Sequence, residues 1–275
     1  MDNSLDARTG VVGPLQRGTM LLRLLATASA RGIALTDLSA KTGLPHSTVH
    51  RLLVTLIREG LAVQLEDTRS YALGQLAFEL GLAAAQRFDA RSVFRPVLER
   101  LSDESGDTAY VHVRSGFEAV CLDMVEGTAA IRVVPLRIGS RRPLGLGAGG
   151  LAILAALGEA DRDDVLSHVA PYIEREWKFP QHSVRASVDE TRRQGYALIR
   201  NRVTPGVTAI GVPYSDSLGR VAGALTIASI NEQMDAPRVS SLHALLKHAV
   251  KQVEKSLRGG RSFDRTSQGA LRLQG

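Results

Sequence analysis

The chain has 275 residues with a single cysteine, one tryptophan and 4% aromatics. The lone thiol, Cys121, excludes an internal disulfide and any multi-cysteine metal site, which fits a reducing compartment. The longest apolar run, "LGLGAGGLAILAAL" at 144–157, is too short and glycine-rich to span a bilayer. The first residues, "MDNSLDARTG", lack a basic stretch leading into an apolar one. The expectation is a cytoplasmic protein with no membrane partner. Catalytic signatures are missing as well. None of the seven histidines falls in an H-E-x-x-H spacing, and there is no G-x-S-x-G elbow. Cys121 lies in the strand-like "AVCLDMV", where a buried, inert thiol is the usual case. No catalytic residue, metal or cofactor is expected. Charge excludes little: 34 Lys+Arg against 28 Asp+Glu, a net of +6, permits a polyanionic partner without requiring one.

What is present is a change of periodicity along the chain. "PLQRGTMLLRLLATASA" (14–30) has helical spacing and breaks at Gly32. Thr36 is read as the cap of a short second helix, "TDLSAKT", which Gly43 ends by taking the left-handed conformation. Pro45 suits the first turn of a third helix running to Glu59. There Val49, Leu52, Leu53, Leu56 and Ile57 fall mostly on one face, leaving His46, Ser47, His50, Arg51 and Thr55 outside it. "LAVQLEDTRSYAL" (61–73) then alternates around the turn "EDTR", a hairpin signature. Three helices and a hairpin describe a winged helix-turn-helix, whose third helix enters the major groove of DNA.

Residues 74–105 read as helix interrupted at Pro96. After Asp107 the runs "TAYVHVRS", "EAVCLDMVE" and "AAIRVVPL" are short and β-branched, so a second domain begins. An apolar helix (148–158), a charged helix (161–169), the strands "VTAIGVPY" and "RVAGALTIAS", and an amphipathic helix over 237–257 follow. The mixture without strict alternation predicts an α+β fold around an antiparallel sheet. The tail "RGGRSFDRTSQGALRLQG" has no periodicity and is expected to be disordered.

On these motifs the chain resembles the IclR family of bacterial transcriptional regulators over residues 14–258. "LSAKTGLPHSTVHRLLVTLIREGLA" is similar to the family's helix-turn-helix. "RPLGLGAGGLAILAAL" and "RRQGYALIRNRVTPGVTAIGVPYSDSLGRVAGALTIAS" are similar to its effector-binding region, in order and at the right separation. The resemblance implies a winged helix-turn-helix at 14–74, a linker helix at 75–91, a GAF-like effector-binding domain at 92–258 and a tail at 259–275. It also implies assembly as a homodimer or dimer of dimers, with a double-stranded DNA operator and a small organic-acid effector as partners.

Two candidate sites follow. On the third helix, His46, Ser47, Thr48 and His50 offer short or planar hydrogen-bonding groups to base edges, and Arg51 suits a phosphate or a bidentate guanine contact. Arg17 and Arg69 are candidate backbone contacts by position in the motif. A solvated polar face explains the same pattern. The second site centres on "GLGAGG", where Gly145, Gly147 and Gly150 match G-x-G-x-x-G. A dinucleotide fingerprint would need a preceding parallel strand in a βαβ unit, which "IGSRRP" and Pro143 oppose. Two accounts stand: a helix N-terminus near Ala148 offering amides to an anion, or glycines needed for close helix packing. The family's effector contacts carry over to Ala148, Gly149, Ile199, Ala209, Thr226 and Ala228. Val207 joins them on the apolar side. Where relatives place an acidic residue and a cysteine, this chain has Ile199 and Ala209, so an apolar pocket is expected. Arg202 is placed either toward a ligand carboxylate or in solvent. The rival readings are an enzyme using the 145–150 loop and a sensor that has lost DNA binding; the intact "HSTVHRLL" face opposes the second.

Overall fold

The computed structural model describes residues 13–28, 31–85, 90–129 and 136–259. The chain divides into two compact units, with the boundary after Asp89.

The first unit opens with α1 (Pro14–Leu25), α2 (Leu35–Thr42) and α3 (His46–Arg58). Val49, Leu53 and Leu56 recur at helical spacing on α3 and pack in a core with Leu21, Leu25 and Leu38. Gly43 takes φ 68° at the end of α2, and the Thr42 hydroxyl donates to Leu38 O at 2.7 Å. That fixes the turn into α3. Two boundaries differ from expectation. Ala34 rather than Thr36 precedes α2, with no side-chain cap, so Thr36 lies inside the first turn. Pro45 sits just before α3 in extended conformation, and its carbonyl accepts from the amides of Thr48 and Val49. The hairpin is β1 (Ala62–Gln64) against β2 (Tyr71–Leu73), antiparallel. Ile33 joins it through two 2.9 Å backbone bonds with Tyr71. The helix α4 (Gln75–Ala85) follows, with Phe78, Leu80 and Leu82 exposed.

The second unit comprises α5 (Ala90–Ser105), β3 (Thr108–Ser115), β4 (Glu118–Val125), β5 (Arg141–Pro143), α6 (Ala148–Ala156), α7 (Glu159–Trp177), α8 (Gln181–Gln194), β6 (Ala197–Arg200), β7 (Val207–Ser215), β8 (Val221–Ile230), a single 3₁₀ turn and α9 (Ala236–Gly259). The sheet is wholly antiparallel in the order β5-β4-β3-β8-β7-β6. Alternation along each strand sends one set of side chains to each face. Ala109, Val111, Ile210, Leu225 and Ile227 pack with α5 and α9. Ile199 and Ala224 pack with α6, α7 and α8 on the other face. The central strand β8 is therefore buried over most of its length, and β3 over residues 108–112.

The predicted α+β class and antiparallel sheet are what the chain adopts. Pro96, however, does not interrupt the helix: α5 runs through it, with Pro96 exposed and Phe94, Leu98 and Leu101 buried on the opposite side. Burial of these anchors outweighs the one amide bond that proline removes. The charged helix likewise extends through an exposed Pro171 to Trp177. Pro143 lies on β5, an edge strand, where a missing amide costs no ladder bond. Most of the strand expected at "AAIRVVPL" lies outside the described residues, as do residues 86–89 of the expected linker and nearly all of the tail.

Each unit has its own apolar core, so residues 90–259 expressed alone are expected to unfold in one cooperative transition by urea and circular dichroism. In that fragment Phe94→Ala should lower stability by about 3–5 kcal/mol.

Candidate functional sites

Packing dictates which part of α3 is left over. With Val49, Leu53 and Leu56 turned inward, His46, Ser47, His50 and Arg51 are exposed and Thr48 is half-buried. The Thr55 hydroxyl is turned back onto Arg51 O at 3.1 Å. Arg17 on α1 is half-buried, and Arg69 is exposed in the hairpin turn, where it takes φ 54°. Its carbonyl is held by Gln64 Nε2 at 3.0 Å, which stiffens the turn. Arg69 thus lies at the tip of the wing, and the other residues line the start of α3 and α1 within one compact unit.

In the second unit a cavity opens between the sheet and the first turn of α6. About 60 Å³ of it is open to the centres of water-sized molecules, room for several waters or a few ligand atoms. All seven candidates named from sequence line it: Ala148, Gly149, Ile199, Val207, Ala209, Thr226 and Ala228. Sheet register explains the convergence. Ile199 pairs with Ala209 and Ala209 with Ala228, while Thr226 pairs with Tyr110 of β3. Small side chains at 209 and 228 leave the floor low. The sequence reading missed the other end. Tyr110 and His112 from β3 and Arg142 from β5 also line the cavity, and Arg202 is turned toward it rather than to solvent. Among the described residues no Asp or Glu lines it. One end is thus apolar, as expected, and the other is polar and basic.

The helix start is brought onto the sheet by two missing side chains. A Cβ on Gly211 would fall 2.8 Å from Ala148 O, and one on Gly149 would fall 2.6 Å from His112 Nδ1. The space at Gly149 is therefore taken up by the imidazole, as the close-packing account of this glycine expects. Gly147, with nothing within 4 Å of its Cβ position, has the open side. The first backbone bond inside α6 runs from Leu151 N–H to Gly147 O, so the amides of residues 148–150 precede the helical ladder. The loop is not a dinucleotide fingerprint, because the strand before it is an antiparallel edge strand.

Electrostatics at the polar end follow from burial. His112 is 5% exposed and its Nδ1 has no hydrogen-bond partner among the described residues. Burial, with Arg142 nearby, lowers its pKa to about 4, so the ring is neutral at pH 7. Burial also lowers the Arg142 guanidinium from its usual value and brings Arg202 down to about 10; both remain cations. The Arg142 guanidinium lies over the Trp177 ring at 5.9 Å. The Arg202 guanidinium lies 4.0 Å from the Phe179 ring centroid and donates to Ser187 Oγ at 2.7 Å and Gly145 O at 3.3 Å. The neighbouring Asn201 pins its own turn, its Oδ1 accepting from Gly206 N–H at 2.8 Å. Burial pushes the Cys121 thiol up to about 12, which leaves it unreactive. No group of three or more His, Cys, Asp or Glu side chains able to hold a metal occurs among the described residues.

Comparison with known proteins places both units in one context. The family model for the IclR helix-turn-helix domain matches residues 14–66, and that for the bacterial transcriptional regulator IclR C-terminal domain matches residues 82–255. The transcriptional repressor IclR of Escherichia coli is 29% identical over 257 residues, covering 92% of this chain and 93% of its own. An IclR-family transcriptional regulator from Brucella abortus has a crystal structure with TM-score 0.69 and 26% identity, over 92% of this chain and 97% of its own. An IclR homologue from Microbacterium hydrocarbonoxydans, crystallised with 4-hydroxybenzoate, matches in fold with TM-score 0.67 at 24% identity, over 90% of this chain and all of its own.

Two outcomes test the geometry around His112. Gly149→Ala should lower stability by about 1–3 kcal/mol in urea unfolding, because the added methyl meets the imidazole, and a second change, His112→Ala, should recover most of it. The second concerns pH. The folded imidazole titrates at about 4, and an unfolded one near 6.5. The unfolded chain therefore binds the extra proton first on acidification, so stability falls between about pH 6.5 and pH 4. His112→Asn should flatten that part of the profile.

Proposed function

We propose, from the premise that the chain belongs to the IclR family of DNA-binding transcriptional regulators, that α3 reads an operator and that the cavity beside α6 takes a small organic acid that modulates this reading. The observation that carries the operator half is the polar face of α3, left exposed when its apolar face is buried. His46, Ser47, Thr48 and His50 meet base edges at the start of that helix, and Arg51 takes a guanine or a phosphate. Arg17 and Arg69 hold the DNA backbone on either side. Two chains act together on a roughly two-fold site. The exposed Phe78 and Leu82, one turn apart on α4, support pairing, since an apolar face of this kind is normally covered by a partner.

The effector half rests on charge. The cavity is lined by Arg142, Arg202 and the start of α6, with no acidic residue among the described ones, and Ile199, Val207 and Ala209 line its other end. Such a lining favours a carboxylate on a hydrocarbon body. The Microbacterium homologue was crystallised with a molecule of that kind, an aromatic acid. A regulator rather than an enzyme agrees with the names of the relatives, which are repressors and regulators of transcription.

Arg51→Ala is expected to weaken operator binding by about 1–3 kcal/mol in gel-shift titration at fixed salt, with the thermal midpoint unchanged. Unchanged affinity would remove Arg51 from the interface. Wild-type affinity should fall steeply as salt is raised, through release of counterions. For the effector, calorimetry with an acid and its neutral amide decides: equal affinities would sink the anion-binding reading. Gly147→Val should block the cavity while leaving ligand-free operator binding in place, since its side chain enters open space.

A further inference from the structure

One cation at the cavity has no negative partner among the described residues. Arg202 stands on the turn between β6 and β7, and its part-buried side chain lines the cavity. What surrounds its guanidinium is neutral: Ser187 Oγ of α8 at 2.7 Å, Gly145 O of the loop entering α6 at 3.3 Å, and the Phe179 ring, with its centroid at 4.0 Å. The guanidinium has more N–H groups than those two bonds use, and the rest have no partner among the described residues. Burial alone lowers its pKa to about 10, so no carboxylate offsets the loss of water. A charge withdrawn from water is normally matched by an opposite one, and an anion in the cavity would supply it.

Two features fix where that guanidinium sits. Asn201 takes φ 54°, and its Oδ1 accepts from Gly206 N–H at 2.8 Å and from Asn231 Nδ2 at 2.7 Å, so the turn is closed on itself and tied to the residue after β8. The Ser187 hydroxyl donates its one proton to Ser183 O at 2.7 Å, one turn back on α8. Its lone pairs are thereby left to Arg202, and a hydroxyl held in this way aims the cation at one place. The bond to Gly145 O sets the same guanidinium beside the loop that leads to the early amides of α6. We propose that Arg202 is the residue that holds the effector's carboxylate and that Ser187 is its positioning residue, so that a hydroxyl on α8 sets how strongly the cavity prefers acids. This rests on the anion-binding reading above and assigns its charge to one residue and its aim to another. The residues that resemblance assigns to the effector include neither.

The test titrates the full-length protein by calorimetry with benzoate and 3-methylbutanoate, each beside its neutral amide, and reads the ratio of acid to amide affinity. In the wild type the better-bound acid should exceed its amide by roughly tenfold or more, as a charge-assisted pair supplies. Arg202→Gln should remove that preference, and Arg142→Gln should lower it less. Ser187→Ala should lower the ratio by roughly threefold or more through the acid alone, and Ser187→Thr, whose hydroxyl can make the same helix bond, should restore it. A merely structural Ser187 would move both affinities together, which overturns the positioning role, as does a ratio unchanged in Ser187→Ala. A preference that survives in Arg202→Gln, or that falls further in Arg142→Gln, overturns Arg202 as the anion ligand even if acids outbind amides in the wild type. Should Arg202→Gln fail to fold, the Ser187 variants decide by the same ratio. If wild-type protein binds acids no better than amides, or binds none of the four saturably, the anion-binding reading itself falls and takes this assignment with it.

Discussion

The second unit is organised by the approach of one helix start to one sheet. The first turn of α6 lies so close to β3 and β7 that a methyl group at Gly149 or Gly211 would collide with His112 or with Ala148 O. Everything at the cavity depends on that closeness. It brings the early amides of α6 over the floor formed by Ala209, Ala228 and Thr226, and it buries the imidazole that a looser packing would leave in water. The rest of α6 is apolar all round and enclosed by α7, α8 and the sheet, so the helix has no freedom to withdraw. The glycines of "GLGAGG" thus differ in their surroundings. Gly149 and Gly150 are needed for packing, Gly150 against Leu144 and Pro143, while Gly147 faces open space.

In the first unit the same logic runs in reverse. Its core is small, built from Leu21, Leu25, Leu38, Val49, Leu53 and a few neighbours, and it uses up the apolar side of α3. What remains exposed on α3 is polar except for Val54. The backbone around that face is held by short-range devices: Gly43 in the left-handed region, Ser39 Oγ donating to Leu44 O at 2.6 Å, and the Ile33–Tyr71 bridge that binds the wing to the segment before α2. A recognition surface needs this rigidity, since side chains that read base edges lose affinity when their backbone must be ordered on binding.

The strands that could be read from sequence were those whose β-branched runs are long. Residues 108–115, 207–214 and 220–229 stand out by their Val, Ile and Thr content, and β8 among them is buried over most of its length. The helix-turn-helix was legible for a similar reason: Gly43, Pro45 and a strict apolar spacing are local signals. Pro96 misled because its local cost was outweighed by Phe94, Leu98 and Leu101, whose burial depends on a sheet far away in sequence. The strand β5 is three residues long and edge-paired, too short for periodicity to register. His112 and Arg142 escaped for the deepest reason. In sequence His112 is one polar residue within an alternating strand and Arg142 one of a basic pair. Only the pairing of β4 with both β3 and β5, together with the irregularity between Val111 and His112, sets them beside the start of α6.

The two cavity arginines also each lie against an aromatic ring. Arg142 stacks on Trp177 and Arg202 on Phe179, so the corner between α7 and α8 is held from two sides by cations that line the cavity. Lys178, between the two aromatics, takes a left-handed φ of 54°, and the corner is tied to α7 by Lys178 N–H donating to Glu174 O and by Gln181 donating to the Glu174 carboxylate. A ligand shifts an equilibrium only by the difference in its affinity for two states. A carboxylate that draws a guanidinium away from an aromatic face weakens a cation–π contact of about 0.5–2 kcal/mol, and one that leaves it in place does not. That difference is comparable to the coupling of about 1–3 kcal/mol typical of ligand-controlled proteins. Arg202 is also tied by two hydrogen bonds, to Gly145 O and Ser187 Oγ.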